Sequence, residues 1–174
     1  MQTWDLASGD LIATLPSAVP PFLVSDQGTV AAAEGSPNTV GIWDSSGSQV
    51  ATLRPPPGNV TAAGISGDGT TVAMADGSAI AVDNRSTVYV YSLPRRALAG
   101  AVPIPEDGSF LAISSHGSLL ALARGDQVIL VSATSQTVTR LSSKGPVSAA
   151  FSPDGKELAV SEDNGTVGIW VLQG

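Results

Sequence analysis

The sequence predicts an all-β fold made of short antiparallel strands joined by tight turns. The stretch FSPDGKELAVSEDNGTVGIW (151–170) carries the pattern most clearly. Its apolar residues alternate with other residues at the period of two that is typical of half-buried strands. Two polar turns, at Asp154-Gly155 and at Asn164-Gly165, divide it into three strands. Because three such strands are not stable alone in water, we expect them to pack against further sheets.

The same pattern recurs along the chain with a period close to 40 residues. The ends of the third strands are separated by 39, 48, 40 and 39 residues, and the glycines of the first turns by 41, 48 and 38 residues. Four short strands in each repeat of this length predict a β-propeller built of four-stranded antiparallel blades. The third strands end at Trp4, Trp43, Tyr91, Val131 and Trp170, and the turn glycines are Gly28, Gly69, Gly117 and Gly155.

Several of these segments resemble the WD-repeat family. Trp4-Asp5 and Trp43-Asp44 carry the Trp-Asp pair, and TVGIWD (39–44) and SPDGKELAVSEDNGTVGIW (152–170) resemble the strand and turn pattern of such repeats. The resemblance covers essentially the whole chain. It implies a WD-repeat-like propeller in which Trp-Asp closes the third strand of a blade.

The repeats depart from the family pattern at its polar positions. The single histidine, His116, lies in a first turn instead of before a first strand. The second-turn position that often holds Asp in the family is occupied by other residues, so the family's internal hydrogen-bond network is mostly absent. We therefore expect apolar contacts between stacked sheets to stabilise the fold. The second-turn residues are Pro37, Arg85, Gly125 and Asn164.

The strand count predicts one partial propeller domain over residues 1–174, forming an incomplete ring that belongs to a longer chain. Two alternatives stay open: a homodimer in which residues 10–15 of one copy complete the last blade of the other, and a four-bladed ring closed within one chain. The expected segments are 1–15 (third and fourth strands of a preceding blade), 20–53, 60–102 with a long second-turn loop, 109–141, and 147–172 without a fourth strand.

Composition argues against several function classes. The chain has no cysteine, which removes thiolate metal ligands and fits a cytoplasmic location. Its net charge of −7 argues against a nucleic-acid partner, and its apolar runs are too interrupted for a membrane-spanning helix. We interpret His116 as a solvated turn residue, and the acidic segments lack the ligand spacing of a calcium loop. We therefore expect no cofactor, no metal site and no catalytic residue.

The second-turn loops and the loops between blades are expected to open on one face of a propeller. This face is the candidate site for a protein or peptide partner. Its cations allow an acidic partner, and because the face also carries carboxylates, a mixed-charge face with no defined specificity is the alternative. The long loop at 75–86 is the candidate binding element. The recurring aromatic residues are assigned to packing between blades. The candidate face carries Arg54, Asp83, Arg85, Arg124 and Lys144, and the packing residues are Trp4, Trp43, Tyr91 and Trp170.

The resemblance implies a protein–protein interaction scaffold, a module of a larger signalling or assembly protein. The alternative is a propeller enzyme, lactonase-like or quinoprotein-like, with its site at the central channel. Such a site needs acidic residues or histidines that converge at the first strands. The aligned positions there, around Phe22, Ala63, Leu111 and Ala149, are apolar or small, which favours the scaffold.

Overall fold

The computed structural model describes residues 1–15, 18–34, 39–54, 60–76, 86–104, 108–133 and 137–172. Within these ranges the secondary structure consists of seventeen β-strands and contains no helix, so the all-β prediction is confirmed. In particular, the described part of the chain has no helix with the length and apolarity required to cross a membrane.

The strands form five antiparallel sheets, and each sheet comes from one continuous segment. Sheet I contains β1 (Gln2–Trp4) and β2 (Leu11–Thr14). Sheet II contains β3 (Ala18–Val24), β4 (Val30–Glu34), β5 (Val40–Trp43) and β6 (Gln49–Leu53). Sheet III contains β7 (Val60–Ile65), β8 (Thr71–Asp76), β9 (Thr87–Ser92) and β10 (Ala97–Pro103). Sheet IV contains β11 (Gly108–Ile113), β12 (Leu119–Arg124), β13 (Gln127–Ser132) and β14 (Thr137–Ser142). Sheet V contains β15 (Pro146–Phe151), β16 (Glu157–Glu162) and β17 (Val167–Val171).

Every sheet is a simple meander in which neighbours in sequence are neighbours in the sheet. In sheets II to V the first strand carries a register shift against the second strand, for example between Val60 and Ala62 and between Phe110 and Ala112. A bulge of this kind bends and twists its strand. The described strands form separate sheets and no closed ring.

A serine organises each turn between the first and second strands. The Ser66 hydroxyl oxygen accepts the backbone N–H of Thr71 at 3.0 Å, and Ser25, Ser114 and Ser152 make the corresponding bond. The glycine three residues after each serine has a positive φ of 67° to 76°, which glycine adopts without steric cost. The serine and the glycine together explain why these segments turn at the same point in each repeat.

Apolar side chains between successive sheets form the core. Ile42 of sheet II packs with Val72 and Met74 of sheet III, and similar clusters join sheets I and II, III and IV, and IV and V. The first strands lie side by side, because β7 contacts β3 and β11, and β11 contacts β15. This stacking brings corresponding turns of neighbouring sheets to the same end of the molecule.

Candidate functional site

A cavity of about 410 Å³ lies among the first strands of sheets II to V. Most of its lining is apolar, including Phe22, Ile65, Ile113 and Phe151. The ionisable side chain in the lining is that of Asp26, and the described lining contains no histidine or lysine. Such a surface suits an apolar group better than an acid–base reaction, which needs a second ionisable group near the first.

A second cavity, of about 600 Å³ and lined by polar and charged residue types, lies between sheets IV and V at the end where second and third strands are joined. We call it the polar cleft. Its residues come from the β12–β13 turn, the connection between β14 and β15, and the β16–β17 turn. They are Asp126, Ser142, Ser143, Lys144, Glu162, Asn164 and Thr166.

Glu162 holds the β14–β15 connection from the side of sheet V. Its Oε1 atom accepts hydrogen bonds from the Ser143 hydroxyl and from the Lys144 backbone N–H, both at 3.0 Å. Its Oε2 atom accepts the Thr166 hydroxyl at 2.8 Å. These donors stabilise the ionised form, and the Lys144 backbone N–H is the largest reason why the pKa of Glu162 is lowered.

Sheet IV holds the same connection from the other side. The Gly145 backbone N–H donates to Asp126 Oδ1 at 3.1 Å, and the Ser143 N–H donates to the Asp126 carbonyl oxygen at 3.0 Å. The Asp163 N–H in turn donates to the Gly145 carbonyl at 3.0 Å. Gly145 has a positive φ of 55°, a backbone conformation that glycine adopts without steric cost. The connection is therefore fixed from both sheets.

Lys144 is exposed in this arrangement, as are the neighbouring Asp126 and Asp163. Its backbone is held by Glu162, but its ammonium group forms no ion pair with another described residue; the described ion pair is Lys156–Asp154 at 3.9 Å. The neighbouring carboxylates of Asp126 and Glu162 are engaged by donors of the protein itself. The cleft therefore combines a fixed loop backbone with one cation, Lys144, and the carboxylates of Asp126 and Glu162.

The other residues of the predicted partner-binding face are spread more widely. Arg124 is exposed at the end of β12, next to the same turn, but does not line the cleft. Arg54 is exposed after β6, and its carbonyl oxygen accepts the Tyr91 hydroxyl at 3.2 Å. Asp83 and Arg85, with most of the long loop predicted at 75–86, lie outside the described residues.

The recurring aromatic residues have different environments. Trp43 and Tyr91 are buried between sheets, and Trp170 is half-buried against sheet IV. Trp4 is largely exposed. His116 is exposed in the β11–β12 turn. The described residues contain no group of three or more histidine, aspartate or glutamate side chains placed to hold a metal ion.

The Trp-Asp aspartates have a structural role that the sequence pattern did not specify. Asp44 Oδ1 accepts the backbone N–H groups of Ser46 and Ser48 and the Ser46 hydroxyl, and it closes the turn between β5 and β6. Asp5 accepts the N–H groups of Ala7 and Ser8 in the same way. The signal that would have found this role is an Asp followed within four residues by Ser-Gly, since Asp side chains readily accept hydrogen bonds from nearby backbone N–H groups in turns.

The polar network of the cleft was also missed. The repeat pattern draws attention to the position of Asn164, where the WD-repeat family often has Asp, whereas the residue that joins the two sheets is Glu162, two positions earlier. Its partners lie 18 and 19 residues away in the connection that follows sheet IV, so the pairing depends on how the sheets stack.

The sequence matches no protein-family model and no curated protein.

Proposed function

We propose that this chain is a protein–protein interaction scaffold built as part of a WD-repeat-like β-propeller. The support for the propeller is the side-by-side placement of the first strands of four successive sheets and the cavity among them. In a propeller the first strands line the central channel. The cysteine-free sequence is compatible with action in the cytoplasm.

The observation that carries the binding function is the polar cleft. Hydrogen bonds from two sheets fix the loop 143–145, and the loop presents an exposed lysine. Binding residues on loops are effective when a rigid scaffold positions them. We propose that the cleft binds an acidic segment of a protein partner, with Lys144 and the nearby Arg124 supplying the cations.

The test is a binding titration of fluorescently labelled acidic, neutral and basic peptides, followed by anisotropy. The acidic peptides are expected to bind, and the double variant Arg124→Ala/Lys144→Ala to weaken binding by roughly tenfold, the size expected for losing a charge-assisted contact of about 1.4 kcal/mol. The matched control is Arg95→Ala/Arg96→Ala, in the exposed turn between β9 and β10 of sheet III, which removes the same charge outside the cleft lining and leaves binding unchanged.

Two results would contradict the proposal. One is that no peptide class binds, and the other is that both double variants weaken binding equally, which would mean that only net charge matters.

Catalysis at the cavity among the first strands is the alternative proposal from the sequence. The cavity is less suited to it, because Asp26 is the lone ionisable group among the described lining residues.

A further inference from the structure

One end of the cavity among the first strands carries two polar side chains that meet beside a glycine. The turns after the first strands of three neighbouring sheets supply Asp26 (sheet II), Gly67 (sheet III) and Ser115 (sheet IV), and all three residues line the cavity. A Cβ atom at position 67 would lie 2.6 Å from Asp26 Oδ2 and 2.8 Å from Ser115 Oγ. Both oxygen atoms therefore converge on the side of Gly67 that carries no side chain.

Backbone hydrogen bonds hold these three turns together. The Asp26 N–H donates to the Gly67 carbonyl oxygen at 3.0 Å, and the Asp68 N–H donates to the Ser115 carbonyl oxygen at 3.0 Å. The first bond joins sheet II to sheet III, and the second joins sheet III to sheet IV. Each of these sheets packs against a described sheet on either side. The convergence is therefore built within the interior of the stack.

The carboxylate and the hydroxyl at this point are not occupied by donors of the protein. No N–H or O–H group of a described residue donates to the Asp26 carboxylate or to Ser115 Oγ. In the next turn, by contrast, Asp68 Oδ1 accepts the Ser66 hydroxyl at 2.6 Å and the Thr70 N–H at 3.0 Å. Asp26 and Ser115 thus offer two neighbouring acceptors to a donor from outside the chain.

The rest of the cavity wall is largely apolar. It includes Ile65 and Ile113, which end the first strands of sheets III and IV, and Phe151, which ends that of sheet V. The volume of about 410 Å³ falls in the range of about 300–1,000 Å³ that is typical of small-molecule sites. Such sites combine an apolar lining with a few polar groups that orient the ligand, and Asp26 and Ser115 are placed to do so here.

We propose that this cavity binds a small organic cation, in which a primary ammonium group is attached to an apolar body. The ammonium N–H groups donate to Asp26 Oδ2 and Ser115 Oγ, and the apolar body lies against Ile65, Ile113 and Phe151. The described lining has one carboxylate and no cationic side chain, so charge complementarity selects a cation over an anion.

A metal ion fits this site less well than an ammonium group. Two acceptor groups are too few for calcium, which takes about six to eight oxygen ligands. The site also does not depend on peptide binding at the polar cleft. The cleft lies at the second turns, at the opposite end of the strands, so the two sites can be tested separately.

The experiment compares three probes of similar shape and different charge: phenylethylamine (cationic), phenylethanol (neutral) and phenylpropionate (anionic). Each probe is titrated at neutral pH and constant ionic strength into the isotope-labelled chain, and the backbone amide signals are followed by NMR. We expect the amine to bind most tightly and to shift the amide signals of Asp26, Gly67 and Ser115. The alcohol is expected to bind more weakly, and the anion is expected not to bind.

Two variants test the polar contacts. Asp26→Asn keeps the shape of the side chain and removes its charge, so it is expected to weaken binding of the amine by roughly tenfold and to leave binding of the alcohol nearly unchanged. Gly67→Ala places a methyl group beside both oxygen atoms and is expected to weaken binding of the amine without any change of charge.

Asp10→Asn is the matched control, because Asp10 is also an exposed aspartate but lies outside the cavity lining. It is expected to leave binding of the amine unchanged, and the NMR spectra verify that each variant is folded. Equal weakening in Asp26→Asn and Asp10→Asn would show that only net charge attracts the amine. The absence of binding by any probe, an anion or alcohol that binds as tightly as the amine, or an unchanged affinity in Gly67→Ala would also overturn the proposal.

Discussion

Ser66 is the buried residue that begins the turn between β7 and β8. Its side chain is fully buried, donates to Asp68 Oδ1 at 2.6 Å and accepts the Thr71 N–H at 3.0 Å. Ser66→Ala removes both bonds and leaves a buried N–H without a partner, which costs about 1–3 kcal/mol. We expect a loss of that size in the free energy of unfolding, measured by urea titration with an unchanged m-value.

Ser152→Ala is the control for this prediction. Ser152 makes the equivalent bonds to Asp154 and to the Glu157 N–H, but in a more exposed turn. Because water can replace the lost hydroxyl there, we expect a smaller loss of stability. Equal losses in the two variants would show that burial does not decide the contribution of this serine.

Asp44 links stability to pH. The Ser46 hydroxyl, followed by the backbone N–H of Ser48, lowers the pKa of Asp44 below its ordinary value of 3.8. As pH falls, the unfolded chain therefore binds the proton first. The stabilisation is complete above the unfolded pKa and is lost as pH falls through the lower pKa of the folded state. Asp5, Asp68, Asp154 and Glu162 also have lowered pKa values and act in the same direction.

Asp44→Asn tests this linkage, because the substitution removes the charge while the amide oxygen of Asn can still accept hydrogen bonds. We expect the wild type to have the higher thermal midpoint near neutral pH. The difference between the two midpoints is expected to shrink below about pH 4 as the carboxylate of Asp44 is protonated. Thermal melts recorded from neutral pH downwards provide the measurement, and a constant difference would rule out a contribution from ionised Asp44.

At the scale of a strand, the tetrapeptide Val-Gly-Ile-Trp occurs twice, in β5 and in β17, so the same sequence can be compared in two environments. In β5 and β17 the tryptophan ring lies where a Cβ atom of the glycine two residues earlier would be, at Gly41 and at Gly168. Trp43 is buried and cannot move, so Gly41→Ala is expected to cost about 1–3 kcal/mol through overpacking. Gly168→Ala is the matched control, since the half-buried Trp170 has room to shift.

Urea unfolding of both variants is the measurement for this pair. The expected order is wild type and Gly168→Ala close together, with Gly41→Ala clearly less stable. The same loss in both variants would mean that glycine is needed for the backbone of these strands and not for the tryptophan ring.

The same tetrapeptide also shows how far sequence predicts structure at this scale. Alternation and turn residues predict that both segments are strands, because these signals are local. They do not predict that Ile42 is buried and Ile169 exposed, since burial depends on the next sheet. The hydrogen bonds of Glu162 were missed for the same reason, because its partners belong to the connection from sheet IV. Contacts between sheets require the stacking, which local patterns do not encode.

At the scale of the whole molecule, burial decreases from the middle sheets to the two end sheets. The inner residues of β8 and β13 are all buried, whereas β17 alternates between exposed and half-buried residues and β1 and β2 are mostly exposed. In stacked sheets each unit is stabilised by its neighbours, so a sheet with one neighbour opens more easily. We expect amide hydrogen exchange to be slowest in sheets III and IV.

Hydrogen exchange followed by mass spectrometry measures this gradient strand by strand. We expect β1, β2 and β17 to exchange fastest, because each of their sheets packs against one neighbouring sheet in the described structure. Equal protection of the end sheets and the middle sheets would contradict the gradient.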